Sequence, residues 1–153
     1  MHSFPFYLQL GFDHISDLAG YDHMLFLVAL CAVYRLEQWK QLLILVTAFT
    51  IGHSITLGLT SLSLLTIPSN LIEFLIPTTI SITALHNVLS DSQTVQFERL
   101  TGRYLMALIF GFVHGMGFSN YFRALLMGES SILVPLFGFN LGIELGQLMV
   151  VFC

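Results

Sequence analysis

The sequence is poor in charged residues. Only 9% of its 153 residues are charged, with five Lys or Arg and nine Asp or Glu, whereas soluble domains carry roughly 25%. Hydrophobic residues make up 56% of the chain. A water-exposed surface cannot be built from so few charges. The composition therefore excludes a soluble globular domain and predicts that the lipid bilayer surrounds the protein.

Basic patches, linkers and paired cysteines are missing as well. The net charge of −4 is scattered and the few basic residues form no patch, so nucleic acid is not an expected partner. No Pro/Gly/Ser-rich linker, repeat or low-complexity tract divides the chain, which predicts one domain over residues 1–153. The two cysteines, Cys31 and Cys153, lie in apolar runs, where thiols are usually small core side chains.

Long apolar stretches take up most of the chain. A bilayer core requires about 20 mainly apolar residues per helix. The stretches that qualify, and so are predicted as transmembrane helices, are 15–34, 41–65, 70–90, 103–126 and 131–153. Residues 2–10 predict an interfacial lead-in, and the apolar run at Cys153 leaves open a sixth helix. We predict an all-α polytopic transmembrane bundle of about five helices.

The basic residues predict an orientation. Arg35, Lys40, Arg99 and Arg103 fall in loops on one side of the predicted bundle, while Arg123 falls near the other side. Cytoplasmic loops carry the excess of Lys and Arg. We therefore expect the N-terminus outside, the first and third loops in the cytoplasm, and the bacterial inner membrane as the location.

Ionisable side chains occur inside the apolar stretches. Placing such a group at mid-bilayer costs about 2.5–3.5 kcal/mol, so these residues are candidates for function. Asp22, His23, His53, His114 and Glu144 each lie 11 to 13 residues from the nearest charged or polar loop. At about 1.5 Å per residue this is roughly 16–20 Å, near the middle of the bilayer. Four predicted helices thus carry potential ligands to one depth, which predicts a metal site.

Further polar residues are expected to support this site or to line a pathway. At about 100° per residue, Asn140, Glu144 and Gln147 form one polar stripe on the last helix. Pro77 leaves the carbonyl of Glu73 without its helical donor, which frees an oxygen beside a carboxylate. The supporting or pathway residues predicted in this way are Asp17, Thr56, Glu73, Asn87, Asn140 and Gln147.

The ligand types indicate which metals are suitable. Imidazole with carboxylate and amide oxygen favours nickel, zinc, cobalt, manganese or iron over copper(I). Structural roles stay open for single residues, because a lone intramembrane histidine often bonds one helix to another. This alternative applies to His53 and His114 taken separately, and it is preferred for His86. His14, with Asp13 and Asp17, is placed near the outer interface as either an entry vestibule or a capping group.

Four motifs occur in an order that resembles one family. They are GYDHMLFL at 20–27 after His14, FTIGHSITL at 49–57, FVHGMGF at 112–118 and NLGIELGQ at 140–147. Together they resemble the HupE/UreJ membrane proteins over residues 11–148. The resemblance implies a hydrogenase- or urease-accessory protein, a nickel permease in some members. The functional positions that it implies are His14, Asp22, His23, His53, His114 and Glu144.

The leading functional hypothesis is a permease or secondary transporter for a divalent transition metal, with nickel favoured by the resemblance alone. The sequence has no G-x-x-x-x-G-K-[ST] motif, so an ion gradient, the membrane potential or another subunit would drive transport. An intramembrane metalloenzyme is the main alternative, although H-E-x-x-H is absent. A metal sensor or a scaffold for a membrane complex is the third. A homo-oligomer or an accessory membrane subunit is compatible with each hypothesis.

Overall fold

The computed structural model describes residues 2–17, 20–89, 97–129 and 131–152, and all regular structure within them is helical. A single 3-10 turn, Leu36–Gln38, precedes the third helix. The α-helices are α1 Phe4–Ser16, α2 Tyr21–Cys31, α3 Trp39–Ser61, α4 Ser69–Leu89, α5 Phe97–Gly117, α6 Ser119–Leu125 and α7 Leu133–Phe152. The prediction of an all-α protein is confirmed.

Several of these helices can cross a membrane. Among the described residues, α3, α4 and α7 are each long and apolar enough to do so. The pair α5 and α6 passes the same test as one span bent by 55°. The described part of the chain is therefore a polytopic bundle with three candidate spans, or four if the bent pair is one span. These spans correspond to the last four predicted helices, although α5 begins earlier than predicted, at Phe97.

The first predicted helix, 15–34, differs in the structure. It is replaced by two shorter helices, and most of the predicted lead-in is α1. The interruption lies at Asp17, whose backbone is extended, and at Gly20, whose φ of −90° and ψ of 50° are not helical. At about 1.5 Å per residue, α1 is about 20 Å long and α2 about 17 Å. Neither helix alone spans a core of about 30 Å.

Glycines bring α1 and α7 into backbone contact. A Cβ added at Gly142 would overlap the carbonyl oxygen of Leu8, and one added at Gly11 would overlap that of Phe139. Gly138 and Gly146 continue the contact along the same pair. Small residues at such spacing allow helices to pack closely in lipid, where no hydrophobic driving force brings them together.

A second glycine contact joins α3 to α5. Gly52 faces the carbonyl of Leu108, and Gly111 faces the carbonyl of Phe49, in each case at a distance that leaves no room for a Cβ. Gly115 lies in the same way against the backbone carbonyl of His53. These contacts fix the backbone of His53 against α5, the helix that carries His114.

The loop before α7 holds the start of α1. The backbone N–H of His2 donates to Oε1 of Glu129 at 2.6 Å, and the hydroxyl of Tyr7 donates to the same oxygen at 3.1 Å. The His2 N–H, an added donor to the ionised form, holds the pKa of Glu129 below its usual range. One end of the α1–α7 pair is thereby tied together.

Gly111→Ala tests the α3–α5 contact. The added methyl group would meet the Phe49 carbonyl, and overpacking of this kind costs about 1–3 kcal/mol. We expect a clear fall in the thermal midpoint of the detergent-solubilised protein. Gly102→Ala is the matched control, because Gly102 lies in the same helix with nothing within 4 Å of its added Cβ. An equal effect of both changes would contradict the close contact.

Candidate metal centre

Four histidines from four helices converge inside the bundle. The ring centroids of His14 and His23 lie 4.5 Å apart, those of His23 and His114 5.4 Å, and those of His14 and His53 6.3 Å. Two imidazoles on one tetrahedral ion would have centroids about 5 Å apart, given metal–nitrogen bonds of about 2.0–2.1 Å. The observed spacings are close to that value.

Helix ends bring three of these histidines together. His14 lies in the last turn of α1, His23 in the first turn of α2, and His114 in the last turn of α5. His53 comes from the middle third of the continuous helix α3. Interrupted helices at membrane depth are stable only where they are buried in protein or line a cavity, and transporters often bind ions at such interruptions.

Hydrogen bonds orient two of the rings. Nδ1 of His23 lies 3.1 Å from Oδ1 of Asp22, and Nδ1 of His114 lies 2.9 Å from the carbonyl oxygen of Phe110. In metal sites, a ligating histidine usually donates its other N–H to a carboxylate or a backbone carbonyl. With Nδ1 as the donor, Nε2 of each ring keeps its lone pair available for an ion.

The remaining ring nitrogens are buried without partners. Nε2 of His14, His23 and His114 and both ring nitrogens of His53 make no hydrogen bond of normal geometry with the described residues, although the Asn140 side chain lies next to the His53 ring. A buried polar atom left in this state costs about 1–3 kcal/mol. His53 and His114 are 0% and 2% exposed, so solvent does not relieve that cost. The arrangement is suited to a ligand that accepts several nitrogen lone pairs.

The histidines do not surround a single point. Within the described parts of the chain, no group of three His, Cys, Asp or Glu side chains is placed to hold one ion as it stands. The rings form a row in the order His53, His14, His23 and His114. An ion would therefore be shared by neighbouring pairs, or the rings would rotate to enclose it.

Aromatic side chains enclose the row. Phe118 lies 4.2 Å from His14 between ring centroids, Phe26 lies 5.2 Å from His114, and Phe49 lies 5.4 Å from His114. These walls exclude water from most of the cluster. Electrostatic interactions inside it are consequently stronger than they would be in water.

A vestibule opens beside His14. It has a volume of about 460 Å³ and is lined by Asp13, His14, Asp17 and Tyr121, among others. Its two carboxylates face a cavity that ends at a histidine ring. A cation would be attracted to this space by the negative charge of its walls.

The motifs that supply these histidines are also the ones that carry the family resemblance. A family model described as "HupE / UreJ protein" matches residues 1–153, the whole chain. The chain belongs to the HupE/UreJ family. No curated protein and no solved structure matches it.

In this HupE/UreJ protein the polar stripe of α7 is divided between two places. Asn140 faces His53 with its side chain within reach of the imidazole, and its Oδ1 is buried. Glu144 instead accepts a hydrogen bond from the Thr47 hydroxyl at 2.6 Å, one helical turn beyond Asn140. The structure therefore brings Asp22 and the four histidines together, but it places the Glu144 carboxylate at Thr47.

Gln147 also faces α3. Its Oε1 accepts a hydrogen bond from the Thr50 hydroxyl at 2.9 Å. Thr47 and Thr50 were not among the residues predicted from the sequence. The only sequence signal for these two threonines was their spacing, because Thr47 and Thr50 precede His53 at intervals of three residues. Threonines are common in membrane helices, so this spacing did not single them out.

The other predicted supporting residues have separate roles. Thr56 donates to the carbonyl of Gly52 at 3.1 Å, within its own helix, and Asn87 donates to the carbonyl of Ala29, which joins α4 to α2. Asp17 lines the vestibule. Glu73 shares a second cavity with Asp22. Hence Asp17 and Glu73 line cavities, Asn87 joins two helices, and Thr56 bonds within its own helix.

His53→Leu tests the unpartnered nitrogens. Replacing a buried, unsatisfied imidazole with an apolar side chain removes a cost of about 1–3 kcal/mol. We expect the metal-free protein to keep or raise its thermal midpoint in detergent, whereas any midpoint increase produced by added Ni²⁺ should shrink. A large loss of stability in the metal-free variant would show that the ring has partners in the folded protein.

Proposed function

We propose that this protein is a permease or secondary transporter for a divalent transition metal, with nickel as the favoured cargo. The observation that supports it best is the row of buried imidazoles with unpartnered ring nitrogens. Neutral imidazole suits nickel, zinc, copper and iron, whereas carboxylate and water suit magnesium and calcium. The family supports nickel transport in general terms, and the choice of nickel rests on that resemblance.

The two ends of the cluster differ in access. On one side the vestibule reaches His14. Toward the N-terminal end of α3, a packed apolar layer that includes Phe26, Leu30, Leu45 and Phe49 lies beyond the cluster. A transporter exposes its site to one side at a time. This arrangement fits a conformation that is open through the vestibule and closed at the apolar layer.

Glu144 keeps a possible role in the path. It lies one turn beyond Asn140 on α7, and its carboxylate is half-buried at Thr47. A carboxylate can offset part of a divalent charge, whereas the neighbouring amides supply only neutral dipoles. We propose that Glu144 offsets part of the ion's charge from a position near the cluster.

Metal uptake into proteoliposomes tests the proposal. His23→Ala, His53→Ala and His114→Ala should each lower Ni²⁺ uptake at least about tenfold, because even outer-shell changes cost 10–100-fold in metal affinity or activity. His86→Ala is the control, since His86 is exposed on α4. Bound metal in the purified proteins should fall in the same three variants. Uptake that is unchanged in all of them would remove the histidine cluster from the mechanism.

We also propose an inner-membrane location with the N-terminus outside. Arg35, Lys40 and Arg103 lie at the end of the bundle where α2 ends and α3 begins, which is the cytoplasmic end by the positive-inside rule. Gln38→Cys in a chain without other cysteines should be labelled by an impermeant maleimide only after the cells are opened. Labelling in intact cells would reverse the orientation.

A further inference from the structure

A second cavity lies beside the cluster, at Asp22. It lies between α2 and α4, has a volume of about 530 Å³, and we call it the α2–α4 groove. Its polar lining is Tyr21, Asp22, Glu73 and Ser81. It shares no lining residue with the vestibule. The bundle therefore has two separate openings near its histidines.

The lining of the α2–α4 groove is suited to a cation. Two carboxylates and two hydroxyls face it. Pro77 makes one more oxygen available. Because proline has no N–H, the carbonyl oxygen of Glu73 lacks its helical donor. Oxygen donors of this kind bind divalent cations, and the bound cation can retain part of its hydration shell.

The groove is joined to the vestibule through side chains in contact. Asp22 lines the groove, and its Oδ1 lies 3.1 Å from Nδ1 of His23. The ring of His23 lies 4.5 Å from that of His14, which lines the vestibule. One pair of imidazoles thus separates the two openings.

The helix on one side of the groove is the least embedded of the candidate spans. Only 17% of the most apolar window of α4 is buried inside the protein, compared with 50% for α3 and 44% for α7. α4 therefore contacts the rest of the bundle over less of its surface than α3 or α7 does.

We propose that the α2–α4 groove is the second mouth of the ion path, so that a divalent cation passes between vestibule and groove across His14 and His23. Asp22 and Glu73 receive the ion on the groove side. This inference rests on the proposed transport function. It adds a route and two carboxylate positions to the histidine cluster.

Cysteine labelling tests the route in proteoliposomes that take up ⁶³Ni²⁺. Ser81→Cys and Leu25→Cys place a thiol in the groove, while Ile82→Cys and Val28→Cys place one on exposed faces of the same two helices outside its lining. All four are made with Cys31→Ala and Cys153→Ala. The reagent is a water-soluble methanethiosulfonate that carries a trimethylammonium group.

We expect the reagent to label only the two groove positions and to abolish their uptake, because the adduct fills the groove and repels cations. Labelled Leu25→Cys that transports at the unlabelled rate would overturn the route, since Leu25 lines the groove without supplying an oxygen ligand. The proposed route would also be overturned if the reagent labelled neither groove thiol. Lipid tails rather than water would then fill the groove. Unlabelled variants that bind Ni²⁺ but never take it up would instead refute the proposed transport function.

Discussion

The close backbone contact at glycines is the constraint on which the site depends. Lipid tails are as apolar as the helices, so the helices associate through packing and hydrogen bonds rather than through the hydrophobic effect. Gly142 sets α1 against α7, and Gly111 and Gly115 set α3 against α5. The first contact positions α1, which carries His14, and the second fixes the backbone of His53 against α5, the helix that carries His114. A side chain at any of these glycines would move a histidine.

Helix interruption determines which groups reach the centre. A continuous helix presents one side chain per turn to a given point, whereas a helix end can present its last residues and open space beside them. The ends of α1, α2 and α5 supply three of the four histidines, and the vestibule opens beside the first of them. The interruptions therefore create both the ligand row and the access to it, at the depth where unpaired backbone groups are least tolerated.

Composition and the cost of buried charge predicted much of this structure. His23, His53 and His114 were found because an apolar stretch gives an imidazole no ordinary place, and that argument needs no neighbours. His14 was expected at the outer interface and was a metal position only through the family resemblance. The helix interruption at Asp17 and Gly20 was missed, because a few residues change the mean hydropathy of a 20-residue stretch very little. The position of Glu144 could not be derived either. A stripe on one helix gives an angle but not the helix that it faces, and here Asn140 faces His53 while Glu144 faces Thr47.

The row of histidines is better suited to passage than to storage. A closed tetrahedral site with three or four protein ligands holds zinc as part of the fold. Ion conduction requires binding that is strong enough to admit the ion but weak and divided enough to release it. In the described part of the chain, the imidazoles are spaced pair by pair, and a single carboxylate, Asp22, touches them. An ion in such a row would exchange one nitrogen for the next, and no group of three ligands among the described residues is placed to retain it.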